Sequence, residues 1–175
     1  MASRYYFLSS MSMLSFSDKA PMSWEDFLTQ AKGNVSESDY GSLLAISEGK
    51  SGSSAFLSKW NDMNRKLDEA VNAQRRHNLH REDKSQVVFV DYDIEKVTNE
   101  ALNAKNPLEA EMALLRFRYD WLETQKGFEP FSETAFLCYA LQLRILLRKD
   151  LFNVQAGNEQ FQSMFENIQK ELKVE

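Results

Sequence analysis

Between Ala135 and Leu147 the chain carries only two strongly polar side chains, Gln142 and Arg144, so a helix drawn from Glu133 to Asp150 is apolar around nearly its whole circumference. Such a helix has to be enclosed by other elements. The run also falls short of the roughly 20 apolar residues that a bilayer span requires. It is therefore expected to be the central rod of a helical core, with Ser132 as its cap.

Elsewhere the apolar positions recur at intervals of three and four. Phe56, Trp60, Met63, Leu67, Ala70 and Val71 form one stripe, with Asn64 beside it, of a helix expected from Ser54 to about Leu79; at about 1.5 Å per residue it would run close to 40 Å. Asn106, Pro107 and Glu109 give a cap, a first-position proline and an acidic third residue, the strongest local start signal in the chain. The helix they open, Pro107 to about Lys126, sets Leu108, Met112, Leu115, Tyr119 and Leu122 on one face and Leu114, Phe117 and Trp121 on another. Both faces should be covered, which makes this helix a neighbour of the central one. Ser23 with Asp26, and Ser36 with Asp39, open two shorter helices that end at Gly33 and at about Glu48 before Gly49. Another is expected from Ile94 to about Ala104. Asn158 opens a last one with Phe161, Met164, Phe165, Ile168 and Leu172 on one face. Residues 4–16 fit a strand or a short amphipathic helix equally, and in either form their aromatics should be buried.

The expected fold is thus all-α: a bundle of about six to seven helices around the central helix 133–150. One domain should span 1–175, with a flexible connection near 49–54 and a charged one near 81–93. Composition agrees, since six glycines and three prolines leave little material for the turns of an all-β fold. A net charge of −5 argues against a broad nucleic-acid-binding surface. The single cysteine, Cys138, excludes an intramolecular disulfide and a cysteine-rich metal site, and its place on the most apolar helix makes it a core residue. At the N-terminus the uninterrupted apolar run from Tyr5 to Leu8 is too short for a signal-peptide core, so a cytoplasmic protein is expected.

Candidate chemistry is sparse. Gly49-Lys50-Ser51 has the ending of a phosphate-binding loop, but that motif requires a glycine where Leu44 stands and a strand before it. It reads as an inter-helix connection. His77 and His80, with Glu82 and Asp83 close by, could hold a metal and are the centre of a metal-dependent enzyme reading; their spacing matches no recognised metalloenzyme motif, and a solvated helix end is the plainer account. The acidic pairs Glu109 with Glu111 and Asp91 with Asp93 read as caps or solvated pairs. Arg116, Arg118, Arg144 and Arg148 are more informative. They lie two on each of the helices expected to touch, with Glu109, Glu111, Asp120 and Glu133 available. Either they form ion pairs at the bundle rim, or they line a groove that receives an acidic partner. No catalytic, cofactor or metal residue is assigned.

Three segments carry a resemblance. Tyr5-Tyr6-x-Leu8 is followed by Pro21-x-Ser23-x-x-x-Phe27; Pro107-Leu108-Glu109-x-Glu111 leads to Arg118-Tyr119-x-x-Leu122; and Tyr139-Ala140-Leu141-x-Leu143-x-Ile145-Leu146-x-Arg148 precedes Gly157 and Phe161. Together they resemble the bacterial family called domain of unknown function 2764, whose members are encoded among the subunits of bacterial V-type ATPases. More distantly, the tyrosine-rich start and Asn61-x-x-Asn64 are similar to the C subunit of V/A-type ATPases, called d in eukaryotes, an all-helical adaptor that seats the central stalk on the membrane rotor ring. This chain is much shorter than that subunit. The resemblance implies a non-catalytic accessory or adaptor subunit without a cofactor, peripheral to the inner membrane through the ATPase and docking at the central stalk or rotor ring. The alternative is a free-standing helical interaction protein acting in assembly or regulation of that machine. Trp60 and Asn64 join the four arginines as candidate partner-binding residues.

Overall fold

Four helix starts read from capping residues are present in the structure. Ser23, Ser36, Asn106 and Ser132 stand in extended backbone, and each accepts, through its side-chain oxygen, the backbone N–H three residues on. Those donors are Asp26, Asp39, Glu109 and Ala135, at 3.1, 3.1, 2.8 and 3.1 Å. Each cap satisfies an N–H that the helix leaves without an internal partner.

The computed structural model describes residues 2–50, 54–78 and 91–152. Among the described residues there are seven helices and no strand: α1 Ala2–Ser10, α2 Trp24–Ala31, α3 Glu37–Ser47, α4 Ala55–Asn78, α5 Tyr92–Leu102, α6 Pro107–Gln125 and α7 Glu133–Asp150. The fold is an all-α bundle. Residues 51–53 of the expected flexible connection near 49–54, residues 81–90 of the expected charged connection near 81–93, and the helix expected from Asn158 lie outside the described residues; residues 92–93 of the second connection belong to α5.

Ten of the α7 side chains are buried, among them Phe136, Leu137, Cys138, Leu143 and Leu146, which have no exposure at all. Helices α2, α3, α4 and α6 pack around this rod, and Phe7 of α1 meets Phe136 edge to face at 6.0 Å. Helix α6 is covered on two faces, as its pattern requires. Leu115, Tyr119 and Leu122 face the main core, while Leu114 and Phe117 pack against a second cluster of Leu67, Ala70, Val71, Ile94 and Val97 between α4 and α5.

At the N-terminus the ambiguity resolves in two halves. Residues 2–10 are helical and 11–22 are not. The reason is visible in the bonds that this second half makes with α7. Tyr139 Oη donates to the Ser12 carbonyl at 3.0 Å, Lys149 Nζ donates to the Phe16 carbonyl at 2.7 Å, and the Ala20 N–H donates to Asp150 at 2.8 Å. Backbone groups held by side chains of another helix are not available to a helix of their own. The expectation that the aromatics of this region are buried needs correction. Phe7 is buried, but Tyr5 and Tyr6 are 49% and 71% exposed. With a turn of 3.6 residues, the face that buries Phe7 turns its two predecessors outward, and Tyr5 rests on Phe131 at 4.5 Å.

Helix α1 is tied down by charge. Arg4 Nε donates to Asp39 Oδ2 at 2.8 Å, and the Ser36 hydroxyl donates to the same oxygen at 2.7 Å. Burial alone pushes the Asp39 carboxyl up, but the Arg4 guanidinium and Ser36 more than offset it and hold the group below its ordinary value. A carboxyl lowered in the folded state stabilises the fold above its unfolded pKa, and that contribution disappears as pH falls through the folded value. Asp39→Asn is therefore expected to lower the urea midpoint at pH 7, with the gap to the parent closing at strongly acidic pH. A gap of equal size at both would show that shape, not charge, is what matters at this position.

Candidate partner-binding cleft

Helices α4, α6 and α7 do not close completely on one another. They leave a cleft of about 1000 Å³, bounded at one end by the last turn of α3 and the residues after it. Its lining from α4 follows the helical period: Leu57, Trp60, Asn64, Asp68, Val71 and Arg75 succeed one another at three or four residues. Helix α6 adds Glu111, Leu114, Leu115 and Arg118. Helix α7 adds Leu141, Arg144, Ile145, Leu147 and Arg148, with Leu151 just beyond its end. The floor is apolar, since Leu57, Leu115 and Ile145 are core residues. Among the described residues the walls carry five cations, Lys50, Arg75, Arg118, Arg144 and Arg148, against two carboxylates, Asp68 and Glu111. In a chain whose net charge is −5, that makes the cleft a local reversal of sign.

Each arginine of the α6–α7 wall is held in place. Arg118 Nε donates to Asn64 Oδ1 at 2.7 Å and its terminal nitrogen lies 3.3 Å from Asp68, tying α6 to α4 across the cleft. Asn64 is itself oriented by donating to the Trp60 carbonyl at 2.9 Å. Burial lowers the Arg118 pKa, nearby Asp68 and Glu111 oppose that change, and Arg148 reinforces it; a guanidinium stays charged even so. Arg148 grips Glu111 through two nitrogens at 2.8 and 2.7 Å. Arg144 donates to the Ile46 carbonyl, capping the end of α3, and lies 5.4 Å from the Trp24 ring centre.

Five of the six candidate partner-binding residues thus converge: Trp60, Asn64, Arg118, Arg144 and Arg148 all line this one cleft. Arg116 does not. It pairs with Asp120 at 2.8 Å and covers Phe16 at 5.1 Å on another face of α6, because residues two apart on a helix point in nearly opposite directions. The contrast is testable. Arg118→Met is expected to cost about 1.5–3 kcal/mol, the range for hydrogen bonds to a charged group, since its side chain is 18% exposed and joins two helices. Arg116→Met, 57% exposed in an ordinary helical ion pair, should stay within about 0.5 kcal/mol. Equal losses in chemical denaturation would contradict the placement of Arg118 as a tie across the cleft.

Among the described residues Arg116, Arg118, Arg144 and Arg148 take partners other than Glu109 and Glu133. Glu109 reaches back over the start of α6, accepting from Asn106 Nδ2 at 3.0 Å and from the Lys105 N–H at 3.2 Å, and Glu133 accepts from the Ser54 hydroxyl at 3.2 Å. Lys50, Arg75 and Trp24 were not among the candidates. Arg75 was within reach of periodicity, as the continuation of the Asn64, Asp68, Val71 row; Trp24 and Lys50 reach the cleft only through the way α2 and α3 pack. Gly49, at φ +70°, ends α3 with the Lys50 N–H bonded to the Ala45 carbonyl at 2.8 Å, a helix C-cap. His77 stands exposed in the last turn of α4, while His80, Glu82 and Asp83 lie outside the described residues. Among the described residues no group of three His, Cys, Asp or Glu side chains could hold a metal ion, and no helix is long and apolar enough to cross a membrane.

No family model, curated protein or solved structure matches this chain, so the cleft has to be read from its own side chains. Among the described residues its lining carries no histidine, cysteine or hydroxyl side chain. The same lining presents an apolar floor, two indoles, and planar guanidinium groups of a geometry that matches carboxylates.

Proposed function

We propose that this chain is a non-catalytic accessory or adaptor subunit of a bacterial V-type ATPase, docking at the central stalk or rotor by taking an acidic helical segment of a partner into the α4–α6–α7 cleft. The ATPase half of the reading is supported by the sequence resemblance. The docking half rests on one observation, the positive, apolar-floored cleft in an otherwise acidic protein. Arginine and tryptophan in a concave apolar setting are the side chains that contribute most to protein interfaces. Complementary charge steers association and fixes register.

The test is crosslinking on the intact membrane complex. A photoreactive residue at Asn72 on the cleft is expected to capture one stalk or rotor subunit, and Arg148→Glu is expected to abolish that adduct. Repeated recovery of the ATPase without this chain, and of the chain without the ATPase, would overturn the reading. One observation favours the free-standing alternative: Arg118 and Arg148 already have carboxylate partners within the chain, so the cleft can persist between encounters. Sub-stoichiometric recovery with the complex is the mark of that version.

A further inference from the structure

Helix α7 turns one repeating face to the cleft, on which Leu141, Arg144, Ile145 and Arg148 succeed one another at helical spacing. From Leu141 to Leu146 every residue except Arg144 is buried. The guanidiniums of Arg144 and Arg148 therefore stand out from an apolar ridge, one turn and about 6 Å apart along the axis. Both are anchored without being used up. Arg144 gives one Nη1 bond to the Ile46 carbonyl, and Arg148 gives Glu111 one bond from Nε and one from Nη2, whereas a guanidinium carries five N–H donors. The Arg148 side chain is 60% exposed. Arg118 is the reverse case: it is mostly buried and turned onto Asn64 and Asp68, so it ties the walls together and offers little to a ligand.

We propose that the cleft selects its partner helix by two carboxylates one turn apart, one for Arg144 and one for Arg148, with apolar side chains on the same face for the floor at Leu141 and Ile145. Two guanidiniums held at a fixed separation set a spacing. Carboxylates at positions i and i+4 of a helix share a face and repeat the one-turn interval, and positions i+3 and i+7 bring apolar groups to that face; a carboxylate moved to i+2 points nearly the opposite way. Overall negative charge is then not enough for binding, because both carboxylates must arrive together with the apolar contact. The proposal rests on the reading of the cleft as a surface for an acidic helix but not on the ATPase as the source of that helix.

The test uses the full chain and dye-labelled, helix-forming synthetic peptides, with binding read by fluorescence anisotropy. One peptide carries leucines at i+3 and i+7 and glutamates at i and i+4; a second has the same composition with the later glutamate moved to i+2; a third has lysines in place of the glutamates of the first. The first is expected to bind roughly tenfold more tightly than the second, a difference of about 1.4 kcal/mol. Reversing the wall with Arg144→Glu and Arg148→Glu is expected to invert the preference, so that the lysine peptide binds and the first glutamate peptide does not. Where the double variant shows a lowered urea midpoint from losing the bond to Ile46, Arg148→Glu alone decides, read against a peptide with glutamate at i and lysine at i+4: a gain for that peptide supports the pairing and no gain rejects it. Equal affinity for the first two peptides overturns the spacing rule and leaves the cleft as a surface for acidic helices. Binding of neither peptide overturns both. Self-association of the chain that is lost in Arg148→Glu overturns the proposal as well, because the occupant is then a second copy. The ATPase takes no part in these measurements, so the crosslinking result stands or falls separately.

Discussion

Phe136→Ala is expected to cost about 3–5 kcal/mol, the range for removing a fully buried aromatic ring from a packed core. The ring has no exposure and sits on the rod against which α2, α3, α4 and α6 pack. It also meets Phe7, the one buried aromatic of α1, so truncation opens a cavity and loosens the N-terminal helix together. Against a typical total of about 5–15 kcal/mol, such a loss brings the chain close to unfolding at room temperature. Phe131→Ala, at a position 37% exposed, provides the contrast and should cost under about 1 kcal/mol. The measurement is the denaturant midpoint at unchanged slope. A loss at Phe136 no larger than at Phe131 would mean that α7 is not the centre of the core.

That centre was legible in the sequence because the signal is local and strong. A run from Ala135 to Leu147 with only two strongly polar members can be stable only inside other helices, whatever those helices are. The capped starts at Ser23, Ser36, Asn106 and Ser132 were legible for the same reason, since donor, acceptor and spacing all lie within four residues. The non-helical state of 11–22 was not. It depends on Tyr139, Lys149 and Asp150, more than 120 residues along the chain, and no window around Ser12 contains that information. The exposure of Tyr5 and Tyr6 was missed for a related reason: aromatic content predicts burial on average, but the phase of a short helix decides which rings face in.

The candidate site divides along the same line. Arg118, Arg144 and Arg148 were picked out because charged side chains among apolar neighbours at helical spacing belong near a contact between helices. Which face of the bundle they share is a matter of phase. Arg116, only two residues from Arg118, illustrates how quickly phase changes the answer: one reaches Asn64 on α4 and the other covers Phe16. The choice between rim ion pairs and a groove also proves too sharp. Arg148 with Glu111 is an ion pair and a wall of the cleft at once.

Gln142 is where the rod's apolar rule is broken, and Gln142→Glu is expected to show the consequence most sharply. The amide is fully buried, and its Nε2 donates to Glu123 Oε1 at 2.7 Å. Burial raises the Glu123 carboxyl, but Lys126 and Gln142 together bring it below its ordinary value, so a donor at position 142 helps keep that carboxylate charged. A carboxyl of the same shape has no such donor when ionised, and ionising it sets a fully buried negative charge beside the Glu123 carboxylate. The alternative is to hold a proton on the new group at neutral pH, and lifting a carboxyl from about 4.3 to 7 or above costs about 3–4 kcal/mol at pH 7. Here the folded pKa is raised, so the penalty is absent below the unfolded pKa and grows as pH rises toward the folded one. Denaturation of parent and variant between pH 4 and pH 7 should therefore give midpoints that diverge as pH increases. Gln142→Leu removes the donor without adding a charge and should cost about 1–3 kcal/mol, with a much weaker dependence on pH. If Gln142→Glu followed the same flat course, the amide would not be contributing through Glu123, and the polar break in α7 would be a matter of packing alone.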